Sequence, residues 1–356
     1  MTDLVFPSLR PMSLVQLLDQ AIRLYRRNFL QFIGIIAVPY VPIMVLQAAS
    51  SALSTSTLTR GMMSSPEALF SNSSYWLGIL GTLVVVVLDF FLVRGLGAAA
   101  LTRAVADSYA GQKVGILSSY RHLKDSPVRL ILALVLMGLI SIVILVWAII
   151  PCIGWISGLG LFYFVLLVVS PLLAPITVLE NNGVLDSIRR AWDLSRVRFW
   201  WLIGFILVLS LFAAIVLVGP SLLINLVMRS VLLSGSNPFG QQLILSSIIQ
   251  ILFSTIMGLI YYPLYASAIT MVYFDLRVRS EGLDLALQAE NAPAPDANAL
   301  INLPQIVPTK SASPFFTGTD ILQFILLTLG LVAVLVLVYS ILIGVVFASL
   351  SLTGIR

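Results

Sequence analysis

Two ionisable residues, Asp89 and Arg94, lie in or beside an apolar stretch long enough to cross a membrane. Ionisable side chains are costly there, so they commonly bind a substrate, an ion or another helix. If the helix begins at Tyr75, Asp89 lies about 21 Å along it, with Arg94 near its end. Five residues along an α-helix correspond to a rotation of about 140°, so we expect no ion pair between them. They form the candidate intramembrane polar site, with either a functional or a structural role.

Other residues that could perform chemistry are scarce. The chain has one histidine, His122, and one cysteine, Cys152. A zinc site built from His and Cys needs more ligands than these two. The sequence also contains no phosphate-binding loop, zinc-protease motif or nucleophile elbow. We therefore expect no catalytic residues, no metal and no cofactor, and we predict neither an enzyme nor a nucleic-acid-binding protein.

The composition predicts which elements position these residues. The chain is 59% hydrophobic and only 10% charged, whereas a soluble domain is about 25% charged. Because open strands cannot satisfy their backbone groups in lipid, the sequence predicts an all-α, polytopic membrane protein. The seven predicted spans are Phe29–Ala49, Tyr75–Gly97, Leu130–Ile150, Trp155–Leu179, Phe199–Gly219, Leu243–Val272 and Ile321–Leu350.

The basic residues predict the orientation of these spans. Of the 20 Lys and Arg residues, 17 fall on one set of alternating segments and three (Arg60, Arg229 and Arg356) on the other. Cytoplasmic segments carry the excess of Lys and Arg. We therefore expect a multi-pass protein of the bacterial cytoplasmic (inner) membrane, with its N-terminus in the cytoplasm and its C-terminus outside.

Two stretches of the sequence repeat. Ala21–Gly34 ("AIRLYRRNFLQFIG") matches Ala191–Gly204 ("AWDLSRVRFWWLIG") at an offset of 170 residues, and Ala98–Asp107 matches Ala266–Asp275 at an offset of 168. A looser match lies between them. We predict three repeat units, about residues 13–107, 114–179 and 183–279, each a short basic amphipathic helix followed by a helical hairpin across the membrane.

The three amphipathic helices are predicted at Ser13–Asn28, Val114–Lys124 and Gly183–Val197. Ser13 is a suitable N-cap, and cations near the end of the first helix suit its dipole. We expect these helices to lie at the membrane surface with arginines at anionic lipid headgroups; the alternative is that they are plain connectors. The predicted headgroup-contacting residues are Arg23, Arg26, Arg27, Arg189, Arg190, Arg196 and Arg198.

The last span stands apart from the others. Residues 280–320 are rich in Pro, Ala, Asn and Ser, a composition typical of a flexible linker. We therefore predict a six-helix core at residues 1–279, a cytoplasmic linker at 280–320, and a tethered C-terminal transmembrane helix at 321–356.

One stretch carries a family resemblance. "YYPLYASAITMVYFDLRVRSEGLDLAL" (Tyr261–Leu287) ends in a "YxDLRxRxEGxDL"-like tail, and Arg10–Phe29 also fits. The sequence resembles a bacterial family of polytopic proteins related to the membrane domain joined to some glycerophosphodiester phosphodiesterases. The resemblance implies about six helices and a mostly unassigned function. No soluble stretch is long enough for the catalytic barrel of those enzymes, so we do not expect their activity.

Two functions remain open. The first is a non-enzymatic protein that organises a membrane process by contacting the lipid bilayer, a membrane-protein partner or a second copy of itself. The second is a transporter or channel for a small or lipidic substrate, suggested by the repeats, the prolines in the spans and the pair Asp89 and Arg94. The repeats read as parallel copies, whereas secondary transporters commonly use inverted ones. The first function is therefore the preferred prediction.

Overall fold

The computed structural model describes residues 11–63, 73–123, 125–151, 153–180, 182–234, 239–283, 314 and 316–352. Within these ranges the chain is helical and contains no strand, which confirms the predicted all-α class. Seven helices in the described residues are long and apolar enough to cross a membrane. They are Phe29–Ala52, Tyr75–Tyr109, Ser126–Ala148, Gly154–Leu179, Phe199–Val227, Leu245–Glu281 and Gly318–Ser340. These helices fit a multi-pass membrane protein.

Except before the last helix, few residues separate one helix from the next. Their bounds in chain order are α1 (Leu14–Arg27), α2 (Phe29–Met63), α3 (Ser73–Leu88), α4 (Ala98–Tyr109), α5 (Ile116–Arg121), α6 (Ser126–Ala148), α7 (Ile153–Phe164), α8 (Ser170–Leu179), α9 (Val184–Val197), α10 (Phe199–Ala213), α11 (Gly219–Ser234), α12 (Phe239–Glu281) and α13 (Gly318–Leu352). Three π-helical segments, Asp89–Gly97, Val165–Val169 and Ala214–Val218, join α3 to α4, α7 to α8 and α10 to α11.

The helices group into two compact units. The first unit is made of Met1–Leu134 and Leu172–Lys310, and the second of Val135–Pro171 and Ser311–Arg356. Most of the predicted linker lies outside the described residues, as do Arg10, Lys124 and Cys152.

In the first unit, α1 and α2 are separated by a single residue. Ser13 accepts a hydrogen bond from the backbone of Gln16, whose side chain accepts one from the backbone of Ser13, which confirms the predicted N-cap. Asn28 leaves the helical conformation at φ −120° and ψ 30°, and Phe29 starts α2. The buried face of α1 packs against α12.

The junction between α9 and α10 has the same form. Both α1 and α9 contain 14 residues. Gly183 precedes α9 at φ −64° and ψ 166°, close to the −72° and 162° of Ser13. Arg198 then breaks the helix at φ −137° and ψ 53°, and Phe199 starts α10.

Three segments of the first unit are mostly buried and are together named the buried helix layer: α4, Leu172–Leu179 of α8, and Ser267–Val278 of α12. Every residue of Ser267–Val278 is buried, so this stretch of α12 is enclosed on all sides. It packs against α1, α4 and α9, and Tyr109 of α4 stacks on Phe274 with ring centroids 5.3 Å apart. By contrast, most described side chains of α3 are exposed, and most of those described in the first half of α12 are half-buried.

In the second unit, α13 lies along α7. The backbone N–H of Gly160 donates a 2.8 Å hydrogen bond to Oγ1 of Thr328, and Phe164 contacts Phe324 with ring centroids 5.5 Å apart. A Cβ at Gly160 would collide with the carbonyl oxygen of Phe324. The absence of a side chain at Gly160 therefore permits this close approach of two helices.

Candidate functional site

The C-terminal end of α12 carries two sets of polar side chains at helical spacing. Tyr273, Arg277 and Glu281 follow one another every four residues and therefore share one face of the helix. Asp275 and Arg279 are also four residues apart and lie on the opposite face, since two residues along an α-helix correspond to a rotation of about 200°. Both sets belong to the tail that carries the family resemblance.

The first set is part of a charge network, formed by Glu180, Arg190, Tyr273, Arg277 and Glu281. Arg277 donates a 2.7 Å hydrogen bond to Glu281, and its Nη1 lies 3.5 Å from Oε1 of Glu180. Arg190 donates to Oε2 of Glu180 at 3.1 Å and also pairs with Glu281. Tyr273 donates to Oε1 of Glu180 at 2.9 Å and accepts from Arg277 at 3.2 Å. Each carboxylate therefore contacts both arginines.

The network is electrically balanced and buried. Arg277 is 1% exposed and Glu180 is 2% exposed. Two guanidinium groups meet two carboxylates, so the network has no net charge. Burial alone would lower the pKa of Arg190, but the carboxylates of Glu180 and Glu281 outweigh it and raise that pKa. Removing one member of such a network is strongly destabilising, because an uncompensated charge stays buried.

The charge network joins parts of the first unit that are far apart in sequence. Glu180 follows the last residue of α8, Arg190 lies on α9, and the other three members lie on α12. It therefore works as a crosslink that fixes α9 against the buried helix layer. Its paired charges make it a poor acid–base site.

The second set forms the Asp275 cluster, made of Met12, Arg198, Asp275 and Arg279. The fully buried carboxylate of Asp275 accepts a 2.8 Å hydrogen bond from the backbone of Met12 and a 2.9 Å bond from Arg279. Arg279 also donates to the carbonyl oxygen of Met12 at 2.7 Å. Nη1 of Arg198 lies 3.7 Å from Asp275. The cluster fixes the start of α1 to α12, and its two arginines outnumber its one carboxylate.

The expectation that Asp89 and Arg94 do not pair is wrong. Nε of Arg94 lies 3.2 Å from Oδ2 of Asp89. The reason is the backbone between them, because Asp89–Gly97 is a π-helix in which bonds link residue i to residue i+5. Residues five apart, which diverge on an α-helix, are therefore neighbours here. The side chain of Arg94 is 69% exposed.

Tyrosines from two other helices lie near this ion pair. Tyr40 of α2 and Tyr262 of α12 contact edge to face, with ring centroids 5.5 Å apart. Asp89 interacts electrostatically with both, and Arg94 interacts with Tyr262 and Tyr265. The π-helical segment thus places the Asp89–Arg94 ion pair within electrostatic range of tyrosines on α2 and α12.

The arginines predicted to contact headgroups lie in two environments. Arg23, Arg26 and Arg27 are exposed on α1, where Arg23 pairs with Asp19 at 2.7 Å. Those of α9 are more enclosed: Arg190 belongs to the charge network and is 12% exposed, and Arg196 pairs with Asp193 at 3.0 Å. The remaining two, Arg189 and Arg198, are half-buried.

His122 directly follows the short helix α5 as its C-cap, and its Nδ1 lies 2.6 Å from the carbonyl oxygen of Ser118. Cys152 lies outside the described residues. Among the residues that the structure covers, no three His, Cys, Asp or Glu side chains group as metal ligands.

Comparisons of the chain with protein-family models, with curated proteins and with solved structures find no match. The residues at the end of α12 were singled out in the sequence only for their family resemblance, and their role as a crosslink was missed. The signal was their spacing: Arg277 with Glu281, and Asp275 with Arg279, are ion pairs four residues apart on one helix. Their more distant partners, Glu180 and Arg190, had no such signal.

Proposed function

We propose that this chain is a non-enzymatic membrane protein that organises a membrane process by binding anionic lipid and a membrane-protein partner or a second copy of itself. One observation carries the proposal: the buried charge network of the first unit uses its charges in structural ion pairs, whereas the three arginines of α1 are exposed. Three Arg residues and one Asp on α1 give a net charge of +2. Anionic headgroups attract such a helix electrostatically.

The proposed contact with lipid uses the polar face of α1. Leu17, Ala21, Leu24 and Tyr25 are buried on the opposite face of the helix. That face packs on protein, so α1 meets the lipid through its guanidinium groups and does not insert as a free amphipathic helix. Arg23, Arg26 and Arg27 provide this contact.

The proposed architecture is three hairpin units, each preceded by a basic helix. The similarity of α1 and α9 supports it, since all four buried residues of α1 have a buried counterpart on α9 at the same offset of 170 residues. These counterparts are Ser187, Ala191, Leu194 and Ser195. The middle unit is the least similar, because α5 has only six residues. A relation to the membrane domain joined to some phosphodiesterases belongs to the same proposal.

The proposed orientation places the N-terminus in the cytoplasm and the C-terminus outside the bacterial inner membrane. The uneven distribution of Lys and Arg supports it. Fusions of alkaline phosphatase and of green fluorescent protein to the C-terminus test it. We expect an active phosphatase and a dark fluorescent protein, and the reverse result would overturn the orientation.

The lipid-binding function is tested with the full chain in nanodiscs that contain phosphatidylglycerol and phosphatidylcholine. Mass spectrometry of the lipids retained after a detergent wash measures the enrichment of phosphatidylglycerol. We expect Arg23→Gln/Arg26→Gln/Arg27→Gln to lose most of this enrichment and the matched triple Lys variant to keep it. Equal enrichment in all three proteins would overturn the proposed role of α1.

A second function, transport of a small or lipidic substrate, is favoured by a specific observation. The ion pair Asp89–Arg94 lies on a π-helical segment near Tyr40 and Tyr262, and π-helical turns occur frequently at functional sites. Asp89→Asn removes the charge and keeps the size of the side chain. Transport predicts a loss of uptake or growth at unchanged expression, and wild-type behaviour would reject a functional role for Asp89.

A further inference from the structure

The Asp275 cluster has an unbalanced positive charge. The two guanidinium groups of Arg198 and Arg279 face the single carboxylate of Asp275, which leaves an excess of one positive charge. Both arginine side chains are 29% exposed, whereas the carboxylate is fully buried. The charged groups that act on Arg198 among the described residues are Arg279 and Asp275. Solvent therefore reaches the arginines of the cluster but not its carboxylate.

Arg198 is bound less tightly than Arg279. Arg279 makes hydrogen bonds to both Asp275 and Met12. The 3.7 Å separation between Arg198 and Asp275 is too long for a hydrogen bond. Nη1 of Arg198 is buried, and within the part of the chain that the structure describes it has no hydrogen-bond partner. Burial, with Arg279 close by, lowers the pKa of Arg198 although Asp275 opposes this. An additional anion at this place would be stabilised.

The surroundings of Arg198 also orient it. Its guanidinium carbon lies 4.4 Å from the centre of the Trp201 indole ring. Stacking of this kind leaves the N–H donors at the edge of the guanidinium plane, where they can bind a second group. Arg198 directly precedes the apolar span that begins at Phe199. This position corresponds to the end of a membrane span, the depth at which lipid phosphates lie.

We propose that Arg198 and Arg279 form a binding site for a phosphate group, with Asp275 and Trp201 holding the two guanidinium groups in place. Planar guanidinium groups match the geometry of phosphate oxygens and bind them through two parallel hydrogen bonds. The inference rests on the proposed lipid-binding function but concerns a different surface from α1. The phosphate belongs either to a lipid headgroup or to a soluble phosphate compound.

The test uses the full chain, the variants Arg198→Gln and Arg198→Lys, and Arg121→Gln as a control that removes one exposed cation from α5. Native mass spectrometry from nanodiscs measures tightly bound phosphatidylglycerol, and a titration of delipidated protein with inorganic phosphate measures the soluble source. Size-exclusion profiles and melting temperatures check that each variant folds.

We expect Arg198→Gln to weaken lipid retention about tenfold, the size of one charge-assisted hydrogen bond. Arg198→Lys should lose part of this binding, because it keeps the charge without the fork of donors, and Arg121→Gln should bind as the wild type does. Saturable binding of inorganic phosphate that needs Arg198, without tight lipid, would also support the site and identify its ligand as soluble. Binding of both probes that is unchanged in Arg198→Gln would overturn the inference. If the inference failed in this way but Arg23→Gln/Arg26→Gln/Arg27→Gln still lost its lipid enrichment, the proposed lipid-binding function of α1 would stand without the phosphate site.

Discussion

The hydroxyl of Tyr273 donates a 2.9 Å hydrogen bond to Oε1 of Glu180, a residue that lies 93 positions earlier in the chain. The same hydroxyl accepts a bond from Arg277, so Tyr273 links an acid and a base inside the first unit. The hydroxyl of Tyr273 and the carboxylate of Glu180 are both buried, so no solvent molecule replaces a hydrogen bond that is lost between them. The relationship ties the end of α8 to the buried part of α12.

The first prediction concerns this hydroxyl. Tyr273→Phe keeps the ring but removes one donor from Glu180 and one acceptor from Arg277. We expect the free energy of unfolding to fall by about 1–3 kcal/mol, the cost of leaving a buried polar group without its partner. Thermal unfolding of the purified protein in detergent measures the change. The exposed Tyr339→Phe is the control, and equal melting temperatures of the two variants would contradict the prediction.

The second prediction concerns the balance of the charge network. Arg190→Met removes one of two positive charges and leaves Glu180 and Glu281 with Arg277 alone. We expect a loss of about 3–5 kcal/mol, because breaking a buried ion pair leaves an uncompensated charge. Protonation of one carboxylate would relieve that excess, so the variant should recover stability relative to wild type as the pH falls.

A second substitution that restores the charge balance tests the same explanation more directly. Arg190→Met/Glu281→Gln restores neutrality, and we expect it to recover part of the lost stability and to remove the recovery at low pH. Denaturant unfolding of the three proteins, from mildly alkaline to mildly acidic pH, measures both effects. A double variant no more stable than Arg190→Met would show that charge balance is not the reason for the network.

The spans were predictable from sequence, but the polar extensions of two of them were not. The second span was predicted to end at Gly97 and the sixth at Val272, whereas the helices continue to Tyr109 and Glu281. Hydropathy identifies the apolar part of a helix. These extensions carry polar and charged residues, and they are helical because other parts of the first unit enclose them.

The polar sites were predictable only in part. Asp89 and Arg94 were identified as a candidate site from their place in an apolar stretch, but their ion pair depends on a π-helical segment that the sequence does not indicate. Arg190 was predicted to contact lipid because it lies on a basic helix. Its contacts with Glu180 and Glu281 depend on packing between distant segments, which local periodicity does not contain.

The third prediction is a pH dependence at Tyr25. Its hydroxyl donates a 2.9 Å hydrogen bond to the carbonyl oxygen of Ile260, and burial raises the pKa of Tyr25 to about 12. An unfolded tyrosine ionises near pH 10, so the contribution of this phenol is complete below about pH 10 and is lost as the pH rises towards 12. Tyr25→Phe has no such group to lose.

The direction of this pH dependence determines the measurement. We expect wild type to be more stable than Tyr25→Phe at neutral pH, and the difference to shrink as the pH rises between those two values. Melting temperatures of both proteins across this range provide the comparison, with Tyr163→Phe as an exposed control. A difference that stays constant with pH would contradict the assigned cause.

The fourth prediction concerns the close contact of α7 and α13. Gly160→Ala places a methyl group against the carbonyl oxygen of Phe324 and against Thr328. We expect the second unit to lose about 1–3 kcal/mol, because overpacking forces neighbouring groups to move. Gly330→Ala on α13 is the matched control, since a Cβ there meets no atom within 4 Å. The same substitution at Gly330 should be neutral or slightly stabilising, because Ala is the better helix former. Protection of α13 from proteolysis in detergent measures the contact, and equal protection in both variants would show that Gly160 is not what lets the two helices approach.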